Sequence, residues 1–175
     1  VPADLTALIA ASARWLQAAY PAPTGALSRA LAEAQARQAV ALAASLCYPT
    51  SMDIQLLHLL APSGSHRLDW LTGCEPHPDD PDTAWRTWVD ETVVSWAACL
   101  LADPALAARA HQALATTEHH SDAGSLQRLT HPSVLDSEAA ALLRHPDLLE
   151  SIAVLHRSQL LERLNLHGAG LPGRP

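Results

Sequence analysis

Residues 24–47 read TGALSRALAEAQARQAVALAASLC, and the fold class follows from this stretch. Ala, Leu and Arg, which dominate it, are among the strongest helix formers. Thr24 is a residue type that caps helix starts. Counting at helical spacing from there gives an inner stripe of Leu27, Ala30, Leu31, Ala34, Val40, Ala44 and Cys47. Many of these positions are Ala, so a neighbouring helix can come close but finds little area to bury. Such a helix needs a bulky partner.

The same bias extends over the whole chain. Ala and Leu make up more than a third of its 175 residues, Lys and Phe are absent, and every cation is Arg or His. β-branched and aromatic residues, the usual strand formers, are few. The expected fold is therefore all-α: an irregular bundle of six or seven helices in a single domain over residues 1–175, with a possible subdivision at the Pro- and acid-rich linker 73–82. The composition is typical of a GC-rich bacterial genome.

Outward from residues 24–47, the first helix is capped by Asp4 and carries Leu5, Leu8, Ile9, Trp15, Leu16, Ala19 and Tyr20 on one stripe. Ser12, the polar exception there, suits a close helix contact. Pro21 and Pro23 end it. After the break Tyr48-Pro49-Thr50, the segment 52–60 has Leu56, Leu57, Leu59 and Leu60 around most of its circumference, which predicts a central position. Residues 65–71 form a short helix closed by Gly73. Asp82 is expected to cap one helix through Leu101, with Trp85, Trp88, Val89, Thr92, Trp96, Cys99 and Leu100 as its stripe and with Trp88 and Trp96 buried. Asp103-Pro104 restarts the chain as a cap followed by a proline at the first helical position. Two similar helix starts, at 131–137 and 145–151, open the last third. Asp147 and Glu150 form an expected capping box, followed by one amphipathic helix over 147–166.

Charge and motifs exclude several functions. The net charge is −7 and the 11 Arg are scattered, so neither nucleic acid nor an anionic lipid surface is an expected partner. No apolar run approaches the length of a bilayer span, so no membrane insertion is expected. No basic leader is visible after Val1. Three Cys without a CxxC pattern fit a reducing, cytoplasmic setting. The absence of Lys removes Schiff-base and P-loop chemistry, and no Gly-rich phosphate loop or nucleophile elbow occurs. Cys74 and His77 lie among acids that would raise a thiol pKa, which argues against a nucleophile–base pair.

Histidine, with ten copies, is the one compositional anomaly. The tightest group is Glu118, His119 and His120 with Asp122, and His111 lies on the helix before it. These residue types ligate zinc, although the spacing lacks the paired i, i+4 pattern. His58 and His156 fall in apolar helical stretches, where inward imidazoles could hold haem or a metal. A second acidic group, Cys74, Glu75, His77, Asp79, Asp80 and Asp82, reads as a linker without a calcium-loop pattern.

Two functional expectations follow. The first is a non-catalytic, helical protein-binding adaptor, accessory subunit or chaperone-like component of a bacterial assembly. It would contact another protein or a second copy of itself through Trp85, Leu148, Ile152 and Leu155, with no cofactor. The alternative is a helical protein holding haem or zinc through its histidines.

Overall fold

A computed structural model describes residues 4–62, 64–74, 82–120 and 126–168. The local signals of the first half act as their chemistry implies. Helix α1 (Thr6–Ala19) has Leu5 rather than Asp4 at its cap position, although the Asp4 carboxylate accepts the Thr6 N–H at 2.9 Å. Helix α2 (Ala26–Cys47) starts one residue later than expected, on Gly25 and with no side-chain cap from Thr24. Helix α3 (Ser51–Leu60) opens with a full capping box: Thr50 Oγ1 accepts the Asp53 N–H, and the Asp53 carboxylate accepts the Thr50 N–H. Helix α4 (His66–Thr72) closes on Gly73 in the left-handed region, at φ 65°, a conformation that costs glycine little.

The predicted tryptophan helix is broken. Residues Ala84–Trp88 form a 3-10 turn, Val89 and Asp90 are extended, and helix α5 runs over Glu91–Ala102. Asp90 is the real cap, accepting the Val93 N–H at 3.1 Å, so Asp82 does not start this helix. Helix α6 (Pro104–Ala113) begins as predicted, with Asp103 accepting from Ala105 and Leu106 and Pro104 at its start. A 3-10 turn, Leu114–Thr116, follows it.

In the last third, helices α7 (Gln127–Thr130) and α8 (Val134–Ala139) are short. The expected helix over 147–166 is two helices, α9 (Pro146–Ala153) and α10 (Arg157–Gly168). The capping box lies at Ser133 and Asp136, not at Asp147 and Glu150; Glu150 pairs instead with Arg157. Ten α-helices and two 3-10 turns stand among the described residues, with no strand, against the six or seven helices expected. The all-α class holds, and the extra helices come from these breaks. Among the described residues no helix is long and apolar enough to cross a membrane.

Helices α2 and α5 form the centre. Helix α1 packs on α2, α9 on α5, and α8 on α2. A contiguous apolar core draws on residues from Leu5 to Leu164. The second half of the predicted α2 stripe holds, with Val40 and Ala44 fully buried, but the first half is rotated. Leu27 is 67% exposed and Ala30 is exposed, whereas Ala32, Gln35, Ala36, Ala39, Ala43 and Leu46 are buried. Gln35 decides this face: its amide donates to the Asp136 carbonyl at 2.9 Å, and its carbonyl accepts from Arg144 at 3.1 Å. A count of apolar residues does not register that polar anchor. Trp15, Trp96 and many Leu supply the bulk of the core to which the Ala-rich α2 belongs, with Trp88 only half-buried. Ser12 is fully buried, as expected for a close contact.

Candidate functional site

The histidines come first because their chemistry is the most versatile. Glu118 and His119 face the α2–α3 hinge, whereas His120 contacts its own loop. The Glu118 carboxylate accepts the Ser51 N–H at 2.8 Å, and the Glu118 N–H donates to the Pro49 carbonyl at 3.0 Å. His119 Nε2 lies 2.9 Å from the Tyr48 carbonyl, and His120 Nδ1 lies 3.3 Å from the Thr117 carbonyl. This loop is a clasp that holds the start of α3. His111 is half-buried on α6, and Asp122 lies outside the described residues. His58 is exposed, with Nδ1 2.7 Å from its own helix's Ile54 carbonyl and its ring edge-on to Trp88; it does not point inward. Among the described residues no group of three or more His, Cys, Asp or Glu is placed to hold a metal ion.

His156 has a structural setting built by one face of α5. Its Nε2 lies 2.6 Å from Glu91 Oε1, and Arg67 approaches the same carboxylate at 3.5 Å. The Ser95 hydroxyl accepts the His156 N–H at 3.0 Å and donates to the Ala153 carbonyl at 3.1 Å. Cys99 Sγ also donates to that carbonyl, and the Trp96 indole donates to the His156 carbonyl. Side chains of α5 thus take over backbone groups at the α9–α10 junction, which is the physical reason the predicted single helix breaks there.

The acidic linker group lies largely at 75–81, outside the described residues. Cys74 and Asp82 flank it. Burial pushes the Cys74 thiol up, with Asp69 adding to the rise and Arg86 opposing it. Nearby, Asp69 is buried and accepts from both the Trp15 indole (2.8 Å) and the Arg86 guanidinium; Arg86 also donates to the Cys74 carbonyl at 3.0 Å. This network ties α1, α4 and the 3-10 turn together.

Of the four residues expected to bind a partner, one keeps a clearly open surface. Trp85 is half-buried between the guanidinium groups of Arg14 and Arg86, at 4.7 and 5.2 Å from its ring centre. Ile152 is fully buried against the core, because α9 turns Leu149, Ile152 and Ala153 toward α5. Leu155 is half-buried and lies in the junction after α9, off its stripe. Leu148 is 44% exposed and lines a groove of about 280 Å³ with Tyr20, Leu71 and Leu142.

Another open apolar feature lies elsewhere, on the segment expected to be central. Helix α3 gives only Ile54 and Leu57 to the interior. Met52, Leu56, Leu59 and Leu60 are 69%, 48%, 80% and 77% exposed, a stripe at i, i+4, i+7 and i+8 facing outward. Beside it runs a groove of about 370 Å³ lined by Cys47, Tyr48, Asp53, Leu56, Leu57, Leu60, Ala61, Pro62, Asp90 and Thr92. Within the groove the Tyr48 hydroxyl donates to Asp90 at 2.6 Å. Burial and this carboxylate push the phenol far up, so it remains a protonated donor. Cys47 is pushed up to about 12 by burial and by the Asp90 charge, with Arg163 offsetting part of the rise and Asp53 adding to it. The central position expected for this segment rested on Leu56, Leu57, Leu59 and Leu60, of which only Leu57 is buried.

Comparison with family models, with curated proteins and with solved structures returns no match for this chain.

Proposed function

We propose that this chain is a protein-binding component, an adaptor, accessory subunit or chaperone-like member of a larger assembly, and that it docks its partner on the outward face of α3. One observation carries the reading: four large apolar side chains on two turns of one helix are exposed by 48–80%. Contiguous apolar patches of this kind mark interaction surfaces in water-exposed proteins. Burying each such side chain is worth about 1.5–3 kcal/mol, which is a strong incentive for a partner.

The patch is also held in place. The capping box, the Glu118 bond to Ser51 and the His119 contact to Tyr48 hold the start of α3 before any partner arrives. Such preorganisation reduces the ordering cost of binding. Leu148 and its groove form a smaller, second apolar site on the α9 side. The three free thiols suit work in a reducing compartment.

The test uses the double variant Leu59→Ser/Leu60→Ser, two exposed positions whose change leaves the core intact. Quantitative affinity capture from extract of the source organism should recover one or more proteins with the wild type and lose them with the variant, at equal melting temperatures. Retention of the same proteins by both would end this reading.

A further inference from the structure

The outward face of α3 and the groove beside it differ in charge from a plain apolar patch. The ten residues lining the groove include two carboxylates, Asp53 and Asp90, and no Arg or His, while the charge of Arg163 acts on Cys47 from outside that lining. Glu118 adds a third carboxylate at the helix start, where it accepts from Ser51. Asp90 is buried, with one oxygen bonded to Tyr48 and the other to the Val93 N–H, so its charge is held at a defined place. Leu56 and Leu60 belong both to the exposed stripe and to the groove wall, which makes ridge and groove one continuous surface. The stripe covers about two helical turns, roughly 12 Å, and its i, i+4 ridge suits packing against another helix.

Resting on the docking role proposed above, we infer that the occupant is an amphipathic helix of a partner protein, with an apolar stripe that packs on Met52, Leu56, Leu59 and Leu60 and Arg or Lys residues that reach the Asp53–Asp90 side. The charge argument also separates this occupant from two others. A second copy of the chain would bring the same carboxylates and its own net charge of −7, so like charges would meet across the contact. An anionic lipid surface would be repelled for the same reason.

The experiment measures fluorescence anisotropy with two labelled helical peptides that share one Leu stripe. One carries Arg on its polar face and the other Glu. The Arg peptide should bind the wild type at least about tenfold more tightly than it binds Leu59→Ser/Leu60→Ser, and about tenfold more tightly than the Glu peptide binds the wild type. Rising salt should weaken it, and Asp53→Asn should weaken the Arg peptide about threefold while leaving the Glu peptide unchanged. Equal binding of both peptides, lost in the double variant, would overturn the charge assignment and leave the docking face standing. Failure of both peptides to distinguish wild type from the double variant would overturn both. Concentration-dependent dimerisation of the wild type that the double variant lacks would assign the face to a second copy. Wild-type-only binding to phosphatidylcholine vesicles would assign it to lipid. Each of these last two results overturns the partner-helix inference.

Discussion

Helices α3 and α5 are both apolar around most of their circumference, yet they occupy opposite positions. From Val93 to Leu101 every residue of α5 is buried, and α2, α6 and α9 pack on it. Helix α3 buries two residues and turns four large ones outward. Hydrophobicity therefore does not separate a central helix from a docking helix. The difference lies in how many neighbours cover each one. Helix α5 also carries groups that organise those neighbours: Asp90 caps it, and Glu91, Ser95, Trp96 and Cys99 grip the α9–α10 junction. The polar groups of α3 secure its own start and, through His58, an edge contact with Trp88.

The sharpest way to break this contrast is to truncate each helix. Trp96→Ala, which removes a side chain 5% exposed, should cost about 3–5 kcal/mol in denaturant unfolding. If it costs no more than a surface change, α5 is not the centre. Removing the caps tests how each helix is held. Asp90→Ala should cost about 1–3 kcal/mol, since it deletes an N-cap and leaves the Tyr48 hydroxyl without its acceptor. Thr50→Ala should cost about 1 kcal/mol and increase hydrogen exchange at the start of α3 before it affects α5.

Acid probes a third region against these two. The chain's own burial raises the Asp136 carboxyl, but bonds from Ser133 and Arg128 outweigh that and hold it below the usual carboxylate range. Its folded pKa is depressed, so its stabilisation is complete above the ordinary carboxylate range and is lost as pH falls through the depressed value. The unfolding midpoints of wild type and Asp136→Asn should therefore converge in acid. A gap of constant size from neutral to acid pH would contradict this. The smallest effects belong to the end and outer face of α3. Ala61 sits at φ 57° and ψ 148°, ahead of Pro62, a backbone region that favours glycine. Ala61→Gly should stabilise by about 1 kcal/mol or less after the entropy cost of glycine, while Leu59→Ala and Leu60→Ala should each stay within about 0.5 kcal/mol.

Much of this architecture was legible before any coordinates. Tyr48-Pro49-Thr50, Gly73 and Asp103-Pro104 act as read, because caps and breaks are contacts between residues a few positions apart. The buried face of α1 was also legible, with Trp15 and Ser12 both inside. The first half of the α2 face was not, because Gln35 bonds to Asp136 and Arg144, far along the chain, although Val40 and Ala44 are buried as read. Nor were the histidine roles, since His119 and His156 take partners from other helices. Ile152 is buried against the core for the same reason, and Trp85 and Leu155 are half-buried, Trp85 beside the Arg14 and Arg86 guanidiniums.

The amino-acid order alone was enough for the helical class and for most helix starts, since propensity, capping and periodicity act over one or two turns. It could not say where the helix over 147–166 would break, because the Ser95 hydroxyl that receives the His156 N–H reaches it only once α5 and α9 have packed. Nor could it say which side of α3 would be left bare. Burial is a property of neighbouring surfaces, and those surfaces exist only after distant segments have met.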